Sequence, residues 1–207
     1  MKRDTSFVSI WLLSSLWTWI SLVRSQPLPT SNDPVLAGYD LVEYHNLSPG
    51  KNGVRGSAQF AYRYNPNDDS TNDGYLYYFK NEENRLRFMK DPRRYLPKYG
   101  GFCAWGVAWE YEDKGWPWDA DHMGPPCGPE DGWAILDDGK LYCSIFRWYQ
   151  DDFNKNKQEG IRLADKRWIE WYGSLEAGPQ NNGCYAWNWY VCVTFFCFLS
   201  YSFALFN

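Results

Sequence analysis

Few residues in this 207-residue chain could do covalent chemistry: six cysteines, at positions 103, 127, 143, 184, 192 and 197, and two histidines, His45 and His122. A thiol acts as nucleophile or metal ligand only as the thiolate, so it needs a base or a depressed pKa. Cys103, in YGGFCAW, precedes a segment that reads as a helix, and a helix start lowers the pKa of a nearby thiol. It is therefore the candidate reactive thiol. His122 is the one candidate base, separated from it by a glycine- and proline-rich loop, and a buried or disulfide-bonded Cys103 is the competing reading. No C-x-x-C pair occurs, and neither histidine has a partner at i+3 or i+4, so no metal site and no cofactor is expected. Both histidines read as solvated loop residues. Asp68, Asp69 and Asp73 lack the spaced oxygen ligands of a calcium loop and read as solvated too. No catalytic residue is assigned.

The compartment decides what the cysteines do. MKRDTS is followed by an uncharged stretch from Phe7 to Val23 and then by Arg24 and Ser25, the basic start, apolar core and small residue of a signal peptide over residues 1–25. An uncleaved anchor is the alternative. Export makes disulfides the default, and the preferred pair is Cys127 in GPPCGPEDG with Cys143 at the end of KLYC, which would pin a proline-rich loop to a hairpin. If Cys184 is retained, a Cys103–Cys184 bridge is also open.

The other end is uncharged from Cys184 to Asn207. An apolar tail behind a polar, small-residue stretch fits a signal exchanged for a glycolipid anchor, with Ala177, Gly178 or Asn182 as attachment residues. A single transmembrane helix without flanking basic residues, or an error at the end of the coding sequence that leaves the domain secreted, are the alternatives. The globular part is thus expected over residues 26–178 and the tail over 179–207. Cleaving a leader that carries Lys2, Arg3, Arg24 and Asp4 takes the formal charge from −4 to −6. With no basic block to neutralise phosphates, nucleic acid is not an expected partner; an unknown extracellular ligand or protein is, with membrane attachment through the tail.

Stepping along the mature chain, SAQFAYRY (57–64) and YLYYF (75–79) read as strands, joined by the hairpin loop NPNDDSTNDG. Asn81 caps a short helix ending at Asp91-Pro92. FCAWGVAWEY reads as a second helix, and WAIL, DDG and KLYCSIF as a β-hairpin. From Arg147 to about Leu175 the pattern is helical, with Ile161, Ala164, Trp168, Trp171 and Tyr172 on one face. The expected fold is α+β, a small antiparallel sheet packed against several helices. The 13 tryptophans and 16 tyrosines could form a carbohydrate-binding face, but their spacing favours core packing.

Three landmarks together resemble the secreted, extended form of the YHS-domain family over roughly residues 34–171. They are GYD at 38–40 with Tyr44, the run YLYYFKNEENRLRFMKDPRRYLPKYGGFCAW from Tyr75 to Trp105, and WAILDDGKLY with the later LADKRW. The resemblance implies thiolate metal binding in the compact relatives, but this chain has Leu36, Lys80 and Asn84 where they carry cysteines. Asp40 either pins the turn before the first strand or joins Tyr78, Tyr95 and Tyr99 in a pocket. The expected function is a non-enzymatic extracellular binding or structural module, the alternatives being a metal or small-ligand binder or a redox protein using Cys103. Asn46-Leu47-Ser48 is a glycosylation acceptor, disfavoured by Pro49.

Overall fold

The computed structural model describes residues 33–67, 74–110, 118–120 and 127–182. The fold is α+β, as expected, with two separate two-stranded antiparallel sheets instead of one. Strand β1 (Ser57–Tyr64) pairs with β2 (Tyr75–Phe79), with a register shift between Ser57 and Ala61. Strand β3 (Trp133–Ile135) pairs with β4 (Leu141–Cys143) through the DDG turn. Helix α1 (Glu82–Lys90) begins where the Asn81 side chain accepts the Asn84 N–H at 2.9 Å, and it carries acids in its first turn and bases in its last. Both features favour the helix electrostatically and satisfy an otherwise orphaned donor. Pro92 starts α2 (Pro92–Tyr95), and α3 (Ala104–Trp109) follows the YGG turn.

The expected long helix is two, α4 (Arg147–Lys155) and α5 (Lys157–Tyr172). Asn156 leaves helical geometry at φ −114° and ψ 25°, and this break lets Phe153 of α4 and Ala164 and Trp168 of α5 enter the same core. Sixteen helical residues then end at Gly173, left-handed at φ 84°.

Two apolar clusters make up the interior. The first joins Val35, Leu41, Val42 and Tyr44 of the N-terminal turns to Tyr77, Phe79, Phe88 and Tyr95. The second joins Tyr99, Phe102, Cys103, Val107 and Trp118 to Phe153 and Trp168. Strand β4 serves both, because its side chains alternate: Leu141 and Cys143 enter the first cluster and Tyr142 the second.

The two halves are stitched by the segment that follows α5. The Asn181 N–H donates to the Gly100 carbonyl at 2.7 Å, its carbonyl accepts from the Leu36 N–H at 2.7 Å, and its side chain donates to the Gly101 carbonyl at 3.0 Å. Pro179, Gln180 and Asn181 are buried, so packing continues past residue 178, where the sequence placed the end of the globular part. Gly100 meets this strap at φ +58°, and a Cβ there would collide with the Pro179 carbonyl. Tyr99 beside it is itself left-handed at φ 53°.

Two outcomes are expected. Gly100→Ala lowers stability by about 2–3 kcal/mol, read from urea unfolding. A chain ending at Gly178 unfolds at clearly lower temperature than one ending at Asn182; equal melting of the two would show that the strap adds nothing.

Candidate functional site

Asp40 is fully buried, and four donors converge on its carboxylate. Oδ1 accepts the N–H groups of Val42 and Glu43 at 2.9 and 3.2 Å, and Oδ2 accepts the Lys80 N–H at 2.8 Å and Asn84 Nδ2 at 2.7 Å. Beside it, Glu43 pairs with the Lys80 ammonium at 2.6 Å and accepts Asn84 Nδ2 at 3.1 Å. Burial raises the Glu43 pKa, but the bonds from Lys80, Asn84 and Asn46 outweigh it, and the net direction is down. Oδ1 therefore closes the local turn and Oδ2 ties that turn to the β2–α1 junction. This is the turn-pinning role, extended to a tertiary contact.

The four residues grouped as a possible pocket do not converge. Tyr78 packs over Gly38, Tyr95 lies in the first cluster against His45, and Tyr99 lies in the second, donating to Asp165 Oδ1 at 2.7 Å. None of the four lines either of the surface cavities described below. The reason is topological: Tyr95 and Tyr99 are close in sequence, but the left-handed YGG turn starts between the two halves and sends Tyr99 to the other core.

The expected Cys127–Cys143 disulfide is present, with Cα atoms 5.4 Å apart. Around it, Tyr44 donates to the Pro129 carbonyl, Tyr39 to Glu130 Oε1 at 3.0 Å, and Trp133 Nε1 to the Lys51 carbonyl at 2.8 Å, fastening the loop to the N-terminal turns. Cys103 is a free thiol and is buried. Burial pushes its pKa up, against weaker hydrogen bonds from Gly106, Ile145 and Ser144 that favour the thiolate. A helix of only six residues follows it. His122, Cys184, Cys192, Cys197, Asp68, Asp69 and Asp73 lie outside the described residues, and no three potential metal ligands cluster among those described. Asn46 is exposed, its amide 3.3 Å from Glu43 Oε2.

His45 is not the solvated residue the sequence suggested. It packs edge-on against Tyr95, with ring centroids 5.1 Å apart, and its Nε2 is buried without a hydrogen-bond partner. Burial first, then the charges of Arg94 and Lys140, lower its pKa from 6.5 to about 4. It lines a cavity of about 500 Å³ with Asp91, Arg93, Arg94, Asp138, Gly139 and Lys140. A smaller cavity of about 100 Å³ shares Arg93 and Lys140 and adds Lys98 and Glu176. Sequence reasoning missed this groove because α2 and the β3–β4 turn, which form it, are some 45 residues apart and each reads as ordinary charged surface; the signal available was the pair Arg93-Arg94 beside a turn lysine.

Among the described residues, core packing accounts for most of the aromatic side chains, and those at the start of α4 differ. Phe146 and Trp148 are 45% and 60% exposed, and Trp148 stacks on Tyr149 with centroids 3.6 Å apart. The chain matches no protein-family model, no curated protein and no solved structure.

A folded His45 pKa of about 4 against 6.5 when unfolded means that the unfolded chain takes up the proton first. Stability present above pH 6.5 is therefore lost as pH falls toward 4, by about 1–2 kcal/mol once solvent screening of this partly exposed ring is discounted. Urea unfolding on either side of this window measures the loss. His45→Gln flattens the dependence, and an unchanged profile in that variant would assign the loss to other groups, Glu43 among them.

Proposed function

We propose that the chain is an exported, disulfide-pinned domain of the YHS-like kind that acts by binding rather than by catalysis. The observation that carries this reading is the Asp40 cluster. Standing where the compact relatives in that family have cysteines, the Asn84 side chain donates to both Asp40 and Glu43 and the Lys80 ammonium pairs with Glu43, while Lys80 reaches Asp40 through its backbone N–H alone. On this reading an ion-paired polar cluster takes over the fastening role at the strand–helix junction, and thiolate metal chemistry is not inherited. The sealed Cys103 with its raised pKa supports the same conclusion, since a nucleophile needs both access and a base.

On this reading residues 1–25 act as a signal peptide and the apolar tail is exchanged for an anchor or removed, so that the domain works outside the cell, released or held at the surface, with Asn46 as a glycan acceptor. If the tail is exchanged for an anchor, the buried strap of Pro179, Gln180 and Asn181 favours Asn182 over Ala177 or Gly178 as the attachment residue, because cutting earlier would remove the bonds to Leu36, Gly100 and Gly101.

Iodoacetamide treatment of the secreted protein, followed by mass spectrometry, is expected to leave Cys103 unmodified until denaturant is added. Rapid alkylation of Cys103 under native conditions would overturn the non-catalytic reading and return the thiol-dependent one.

A further inference from the structure

From the groove between α2 and the β3–β4 turn, we infer a binding site for a tetrahedral oxyanion, a phosphate or sulfate group carried on a small molecule. The inference rests on the reading of the chain as a binding module and names the ligand class of the cavity of about 500 Å³ that His45 lines.

The groove gathers Arg93, Arg94 and Lys140 on a chain whose net charge is −4. No salt bridge among the described residues engages Arg93 or Arg94. Arg94 lies over the Tyr95 ring at 5.6 Å, and the Lys140 ammonium donates to the Arg93 carbonyl at 2.5 Å, which holds the turn lysine beside the arginine pair. Two carboxylates share the cavity. Asp138, exposed at the β3–β4 turn, accepts the Lys140 N–H at 3.0 Å and the Tyr142 hydroxyl at 2.9 Å, and Asp91 stands exposed at the start of α2. Three cations facing two carboxylates leave the cavity with a positive excess. Guanidinium groups bind tetrahedral oxyanions through paired N–H donors, for which an ammonium supplies a third point of contact.

The adjoining smaller cavity extends the same surface. It reuses Arg93 and Lys140 and adds Lys98, which is paired with Asp165 at 2.7 Å, and Glu176. A ligand with a neutral body and one anionic group fits this layout better than a polyanion, because Asp91, Asp165 and Glu176 flank the basic centre.

His45 supplies an internal reporter. The groups facing it are Arg94 and Lys140 from the two walls, Arg93, Asp91 and Asp138 in the same cavity, and the Tyr95 ring beneath. An anion seated among the cations offsets the charges that oppose its protonation, so occupancy must raise the His45 pKa, and protonation of His45 must in turn strengthen binding.

The experiment uses the full chain expressed through a secretory host, with the imidazole resonances of His45 and His122 distinguished by the His45→Gln variant. Inorganic sulfate, whose charge does not change across the range, is expected to raise the His45 pKa by about one unit. Calorimetric titration with glucose 6-phosphate and glucose 6-sulfate tells which ester is preferred, with glucose as the neutral control. Arg93→Gln with Lys140→Gln should weaken binding at least about tenfold without changing the melting temperature by more than a few degrees. A His45 pKa indifferent to sulfate, together with no heat from either ester, overturns the site, as does full affinity in the double variant. Such a failure leaves the non-catalytic reading intact, since that reading is sunk by native alkylation of Cys103 and not by the absence of an anion.

Discussion

A carboxylate with no exposure to water is tolerable only if donors surround it, and Asp40 sets that condition for the N-terminal half of this protein. Its four donors come from the turn it begins, from the end of β2 and from α1. The register of β2, the entry angle of α1 and the path of the N-terminal turns are therefore fixed together. If one shifts, a charge is left buried without a partner. Phe88 can then lie among Tyr62, Tyr64, Tyr77 and Phe79, because α1 is held at one end by Asn81 and Asn84 and at the other by the chain reversal at Asp91-Pro92.

The joint between the two halves is organised by backbone conformation. Leu36, Ala37 and Gly38 form one left-handed run, and Tyr99, Gly100 and Gly101 form another. Both expose peptide groups that cannot pair within their own turns, and Asn181 pairs with one residue of the first and two of the second. Non-glycine residues in this region of φ cost on the order of 1 kcal/mol each, so the strap that over-determines them is a requirement of the fold. The disulfide has a matching job at the other side of β4, where Cys143 holds a loop whose Pro129 and Glu130 reach the Tyr44 and Tyr39 hydroxyls.

What the sequence made legible was local. Alternation announced β1 and β2, Asn81 and Pro92 bracketed α1, and a proline-rich loop facing a hairpin end was enough to pair Cys127 with Cys143. What it hid was tertiary. Nothing near Asp40 in sequence shows that its partners are Lys80 and Asn84, and the polar stretch before the tail gives no hint that Asn181 pairs with Gly100, because amide composition looks the same in a spacer and in a strap. His45 was misjudged for the same reason: its burial is supplied by Tyr95, fifty residues away. The break at Asn156 was also hidden, since the polar run from Asn154 to Glu159 holds no proline and reads as an exposed helix face as well as a break.

The same strap bears on how the domain would be presented. Leu36 and Asn181 are joined by a backbone hydrogen bond of 2.7 Å, so the two ends of the packed region emerge side by side. If the chain beyond Asn182 is the tether, the N-terminal end lies close to the same attachment point, and so does the β1–β2 hairpin, since Pro34 bridges Leu76 and the Gly56 N–H donates to the Gly38 carbonyl at 2.8 Å. Two constraints act on the same N-terminal turns. The strap sets where the tether leaves, and the buried carboxylate sets how the hairpin and α1 stand relative to the turns the strap holds. The N-terminal turns are thus the shared part: they belong to the first apolar cluster and are bonded through Asn181 to the turn that opens the second.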